Sequence, residues 1–182
     1  MIEDSGERRQ FESGAVRDVT EGKGRCDLLP LDVISDYLDD GILMDINDYI
    51  RSGGVSYLWD AIDQFCCLNY AKDENDDSGI YTGFLEASKQ YQDGSEKYGD
   101  RNWEKGIPLH CYIDSAVRHY LKFLRGDTDE PHDRAFLWNL LGAIWTQRHR
   151  PKLNDLPAKV VLDDAEDPAA TLKRYYRKWN EI

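Results

Sequence analysis

An all-α fold is what this sequence predicts, and three observations carry the prediction. Leu109, Tyr112, Ile113, Ala116, Val117, Tyr120, Leu121 and Leu124 follow the 3.6-residue period without a miss, and Gly126 ends the run. After the short loop GDTDEP the pattern resumes at Phe136, Leu137, Leu140, Leu141, Ile144 and Trp145. No stretch shows the strict alternation of a half-buried strand. Two amphipathic helices joined by so short a link predict an antiparallel hairpin.

The remaining elements follow in order. Residues 1–10 read as a polar, mobile terminus. Residues 11–30, FESGAVRDVTEGKGRCDLLP, carry glycines at 14, 22 and 24 and no sustained period, which suggests an ordered arm laid on the domain. LDVISDYLDD opens a helix after Pro30, a favourable position beside a helix start. GILMDINDYIRSGG and VSYLWDAIDQFCCLNYAK read as a short and a longer helix, and KDENDDSG as an acidic exposed loop. YTGFLEASKQYQDGSEKYG reads as one helix or a pair broken near Gly94. Residues 151–170 look irregular, and TLKRYYRKWNEI predicts a small basic terminal helix. There is no internal repeat, so the 182 residues form one domain with a core of ordinary size.

Composition narrows the function. Hydrophobic residues make up 41% and charged residues 32%, as in globular proteins. A formal net charge of −12 argues against broad binding to nucleic acid or anionic membranes, while leaving room for a small anion at a locally basic site. No apolar run reaches the roughly 20 residues of a membrane span and MIEDSGERRQ lacks a signal-peptide core, so a cytoplasmic location is expected. Cys26, Cys66, Cys67 and Cys111 form no CxxC pair and read as reduced structural thiols.

Four features could carry chemistry. His110, Asp114, Arg118 and Lys122 recur at i+4 and share a stripe beside the apolar face of their helix. Asn139, between Trp138 and Leu140, needs a partner if buried. KYGDRNWEKG at 97–106 gathers cations, an amide and aromatics before a helix start, suiting either a phosphate loop or a structural loop. His132-Asp133 also forms an HD dipeptide, whose metal chemistry would need an upstream histidine (His110 or His119) and a downstream aspartate (Asp155 or Asp163).

Taken together, SGAVRDVTEGKGRCDLLP, EKYGDRNWEKGIPL, YIDSAVRHYLKFLRGD and the H-x6-N segment ending in LWNLL resemble the phage-borne dATP/dGTP diphosphohydrolase family. That family is similar to the MazG-type all-α nucleotide pyrophosphohydrolases and includes the MazZ enzymes of phages that use 2-aminoadenine. The resemblance covers residues 11–31 and roughly 84–146. It implies a MazG-like helical bundle with an irregular N-terminal arm, a helical insertion at 39–80 and a C-terminal extension at 151–182.

The resemblance implies hydrolysis of a purine deoxynucleoside triphosphate between the α and β phosphorus atoms. dGTP is favoured, with GTP or dATP as alternatives, and the products are the monophosphate and pyrophosphate. In a phage this would supply dGMP for 2-aminoadenine nucleotide synthesis. Mg²⁺ or Mn²⁺ would be the cofactor, and a homo-oligomer, dimer or tetramer, the expected assembly. Against the MazG motifs, Phe136 and Asn139 stand where Glu and Asp would be, so the four-carboxylate cage cannot be carried over whole. Asp114 is the expected ligand, with Glu86, Glu96 and Asp133 as candidates to complete the set. Lys97 and Arg118 join Glu96 and Asp114 as expected catalytic groups. Val16, Arg17, Asp18, Lys23, Arg25, Tyr98, Arg101, Asn102, Trp103, Lys105, His119 and Asn139 are the expected substrate contacts, with Trp103 assigned to seating its loop rather than touching the base. An HD-type phosphohydrolase and a non-catalytic acidic phage protein that binds a host factor are the competing readings.

Overall fold

The computed structural model describes residues 8–19, 21–73 and 78–157, and its architecture is all-α. Six helices are present among them: α1 (Leu31–Leu38), α2 (Gly41–Ser52), α3 (Val55–Tyr70), α4 (Ser78–Tyr98), α5 (Leu109–Arg125) and α6 (His132–His149). α5 and α6 form the antiparallel hairpin that their periodicity implies, and Gly126 adopts φ +82° at the C-terminus of α5. Their backbones approach closely at Gly142, where an added Cβ would overlap the ring of Tyr112. α4 packs on α3 and α6, and α2 packs on α3.

α4 runs unbroken through Gly94, the first of the two readings the sequence left open, because a single glycine costs only about 1 kcal/mol in a long helix. Residues 8–10, read as a mobile terminus, are strand β1 (Arg8–Gln10), paired antiparallel with β2 (Val16–Asp18). The arm therefore does have secondary structure of its own. Its ladder is a backbone affair that side-chain alternation does not announce; Phe11 N–H donates to Ala15 C=O, and Gly14 at φ +83° lets the chain reverse.

Residues 39–80 are no appendage. Leu43, Ile46, Tyr49, Leu58, Ile62 and Phe65 from α2 and α3 are fully buried in the same core as Tyr112, Ile113 and Phe136. Tyr49 Oη donates to Gln147 Oε1 (2.6 Å), whose amide in turn donates to Gly53 C=O (2.8 Å), fastening α2 to α6. The four cysteines are free thiols. No helix among the described residues is long and apolar enough to cross a membrane. The expected basic terminal helix and Asp163 lie outside the described residues, as do residues 74–77 of the expected acidic loop, whose last two residues, Ser78 and Gly79, open α4 instead.

Candidate functional site

Some of the side chains that the sequence nominates, Arg17 and Asn139 foremost, meet where the β1–β2 hairpin lies on the α5–α6 seam. Arg17 leaves β2 and enters that seam. Its guanidinium donates to Cys111 C=O (3.1 Å), Ser115 Oγ (3.1 Å) and Asn139 Oδ1 (3.0 Å), and lies against the faces of Tyr112 and Trp138. Asn139 thereby finds the partner its position demands, and its own amide donates to Ala135 C=O. Burial pulls the pKa of Arg17 down, and Arg9 adds to that pull.

Arg17 has no carboxylate partner among the described residues; every hydrogen-bond acceptor it uses is uncharged. Its cross-strand neighbour makes matters worse. Arg9 and Arg17 stand opposite one another in the ladder, and Arg9 also reaches Cys111, donating to its Sγ (2.7 Å). Like charges directly opposite are destabilising, and the buried Nε of Arg9 has no hydrogen-bond partner. Two guanidiniums converging on one residue without an acid form a site that favours an anion.

The neighbouring nominated residues mostly hold the hairpin in place. Asp18 accepts from Lys97 Nζ and Tyr98 Oη at the end of α4, both at 2.7 Å. Asn102 acts as an extra strand partner for Val16, accepting from its N–H (3.0 Å) and donating to its C=O (2.9 Å). The Asp114 carboxylate is buried, accepting from Cys26 N–H (2.7 Å) and pairing with Arg118 (2.5 Å). Arg118 then donates to the carbonyls of Lys23 and Gly24, so these two residues close the arm over α5.

Others lie apart from the seam or at its rim. Arg25 is exposed and pairs with Asp27, Arg101 pairs with Glu104, and Lys105 is exposed beside Gly14. Trp103 packs edge-on between Tyr91 and Trp145, which is the structural seat expected of it. The four nominated metal ligands have separate partners. Glu86 pairs with Lys89, exposed Glu96 accepts from Gln92, Asp133 accepts from Tyr70 Oη, and Asp114 is engaged as above. No group of three converging ligand atoms among the described residues includes any of them. Of the HD dipeptide, His132 does meet His119, but Asp133 turns to Tyr70 and Asp155 to His110.

Residues 81–156, spanning α4 to α6, match the family model described as dATP/dGTP diphosphohydrolase, N-terminal. Over that segment, a little over two fifths of the chain, the sequence is similar to the dATP/dGTP diphosphohydrolase family. The segment contains Cys111, Ser115 and Asn139, the three acceptors that hold Arg17, while the hairpin carrying Arg9 and Arg17 precedes it. No curated protein and no solved structure matches the chain significantly.

Arg9, Cys111 and Ser115 are absent from the residues the sequence nominates. Arg9 lies in a polar tripeptide, RRQ, and only the strand register reveals that it faces Arg17. Ser115 is one turn before His119 and one residue after Asp114; its spacing places it on α5 but not toward the arm.

Proposed function

We propose that the protein hydrolyses a purine deoxynucleoside triphosphate, dGTP by preference with GTP or dATP as alternatives, to the monophosphate and pyrophosphate. The observation that carries the reading is the Arg9–Arg17 pair, short of negative charge and held by the family-matched helices. A phosphate chain supplies the missing anion, and guanidinium forks match phosphate oxygens geometrically. Lys97, Tyr98, Asn102, Asp114 and Arg118 serve this site by fixing the hairpin, which makes them positioning groups.

Dependence on Mg²⁺ or Mn²⁺ belongs to the same reading, as a property of phosphoanhydride hydrolysis. A phage setting, with dGMP supplied for 2-aminoadenine nucleotide synthesis, and a homo-oligomeric assembly extend the same reading. The test is incubation of the full chain with dGTP, dATP and GTP, with and without divalent cation, followed by identification of products. dGMP with pyrophosphate is the expected result. Deoxyguanosine with inorganic triphosphate would replace the reading with the HD-type one, and nucleotide binding without turnover would leave a binding protein.

A further inference from the structure

We propose a divalent transition-metal site at the α5–α6 turn, built from His119, Glu130 and His132. It is distinct from the carboxylate set nominated by sequence and shares no residue with the arginine pair. His119 comes from the last turns of α5, Glu130 from the loop, and His132 from the first residue of α6.

The distances suit one ion. His119 Nδ1 and His132 Nδ1 are 3.0 Å apart, and Glu130 Oε1 lies 3.6 Å from the first and 3.8 Å from the second. Ligand atoms held at about 2.0–2.1 Å from a tetrahedral ion stand about 3.3–3.4 Å from one another. The three separations bracket that spacing, so small rotamer adjustments bring all three onto a common centre. Two imidazoles and one carboxylate are the donor set of a site with three protein ligands and a fourth position for water or a ligand oxygen. Imidazole nitrogen selects zinc-like ions over Mg²⁺, which prefers oxygen and water.

The surroundings are those of a ligating histidine pair. His132 is almost wholly buried, with 1% of its side chain exposed, and its Nε2 meets Asp129 Oδ1 at 2.8 Å. A carboxylate on the far ring nitrogen fixes the tautomer that leaves Nδ1 bare, which is the supporting contact metal-bound histidines use. His119 is itself largely enclosed, with 15% of its side chain exposed. Of the cations that face His119 from α5, Arg118 is paired with Asp114 and Lys122 with Asp129; Arg17 approaches from the arm.

A second acidic group, Asp127, Asp129 and His132, lies on the other side of the same imidazole. There Asp127 is held by Arg125 and Asp129 by Lys122, whereas the described ion-pair partners of Glu130 are the two histidines alone. Glu130 is thus the carboxylate whose charge a cation would balance. His119 is one helical turn beyond Ser115, and His132 two turns before Asn139, so an ion here shares the seam with Arg17, about 6–10 Å along the helix axes.

The experiment is metal binding by the full chain, stripped with a chelator and free of nucleotide, which keeps its outcome separate from that of the activity. Zn²⁺ is titrated against a chromophoric competitor, and Co²⁺ is added as a spectroscopic probe. The expected result is one Zn²⁺ per chain and visible Co²⁺ bands of a four-coordinate site. Glu130→Gln and His119→Gln should lose more affinity than Asp129→Asn, whose loss should be about 10–100-fold, the range for a supporting partner. Glu130 is on a loop and partly exposed, so its variant keeps the far-ultraviolet dichroism of the parent. Absence of stoichiometric Zn²⁺ binding by the parent chain, or wild-type affinity in folded Glu130→Gln, would overturn the site.

Discussion

Replacing Arg17 by methionine separates a binding role from a structural one. Methionine keeps an apolar stem between Tyr112 and Trp138 while removing the charge. Three hydrogen bonds from a charged donor disappear, and the buried acceptor left short, Asn139 Oδ1, costs about 1–3 kcal/mol, while Cys111 C=O keeps its place in the α5 ladder. Against this, the substitution removes an enclosed guanidinium that lacks an acid and repels Arg9, a relief of several kcal/mol. The two terms nearly cancel, so unfolding stability should shift by no more than about 1 kcal/mol. Binding has no such compensation. Loss of charge-assisted contacts to a phosphate, about 3 kcal/mol, corresponds to about a hundredfold weaker association. Urea unfolding and calorimetric titration with pyrophosphate and a non-hydrolysable dGTP analogue measure the two quantities. A variant destabilised by more than about 3 kcal/mol with unchanged anion affinity would refute the argument and make Arg17 a packing residue.

Asp114→Asn should loosen the arm, because it weakens the pair with Arg118 and the contact with Cys26 N–H; limited proteolysis should then cut near residues 21–25 sooner, at a stability cost of about 2–3 kcal/mol. Intact protection with turnover lost at limiting Mg²⁺ would instead return Asp114 to the role of a metal ligand. Asn102→Ala removes both bonds to Val16 and should speed amide exchange in β2 by about ten- to a hundredfold, read by hydrogen exchange mass spectrometry, while α5 and α6 keep their protection. Gly142→Ala should destabilise by about 1–3 kcal/mol in thermal unfolding despite alanine's better helix propensity, since the added methyl meets Tyr112. Burial, then the charges of Asp63 and Cys67, push the Cys66 thiol from 9.0 up to about 12. Its folded pKa lies above its unfolded one, so its contribution to stability is complete below pH 9 and is lost as pH climbs toward 12. At pH 8 a thiol reagent should modify exposed Cys67 quickly and Cys66 only on unfolding; equal rates would contradict its burial.

The helices were legible because their signal is local. The period of α5 and α6, the Pro30 start of α1 and the Gly126 stop each depend on neighbours within a turn or two, and each appears where expected. Asn139 was legible in half: an amide among apolar residues announces a partner but not which one. The arm was legible as an ordered segment laid on the domain, yet its hairpin was not, since a three-residue ladder rests on backbone bonds that carry no side-chain pattern.

By itself, the sequence determined the helical class, the α5–α6 hairpin, the reduced thiols and the resemblance that the family match over residues 81–156 supports. Only the tertiary structure decided which charges meet. Arg17 is separated from Asn139 by 122 positions and Asp114 from Cys26 by 88, and no local rule relates partners so far apart. The strand register alone sets Arg9 against Arg17, because a slip of one residue would send every side chain of β1 to the opposite face. The turn between α5 and α6 likewise brings His119 onto His132 across 13 positions. Periodicity reports which face of a helix is buried. Which polar group waits on the facing element depends on the crossing of whole helices, a property of the packed core.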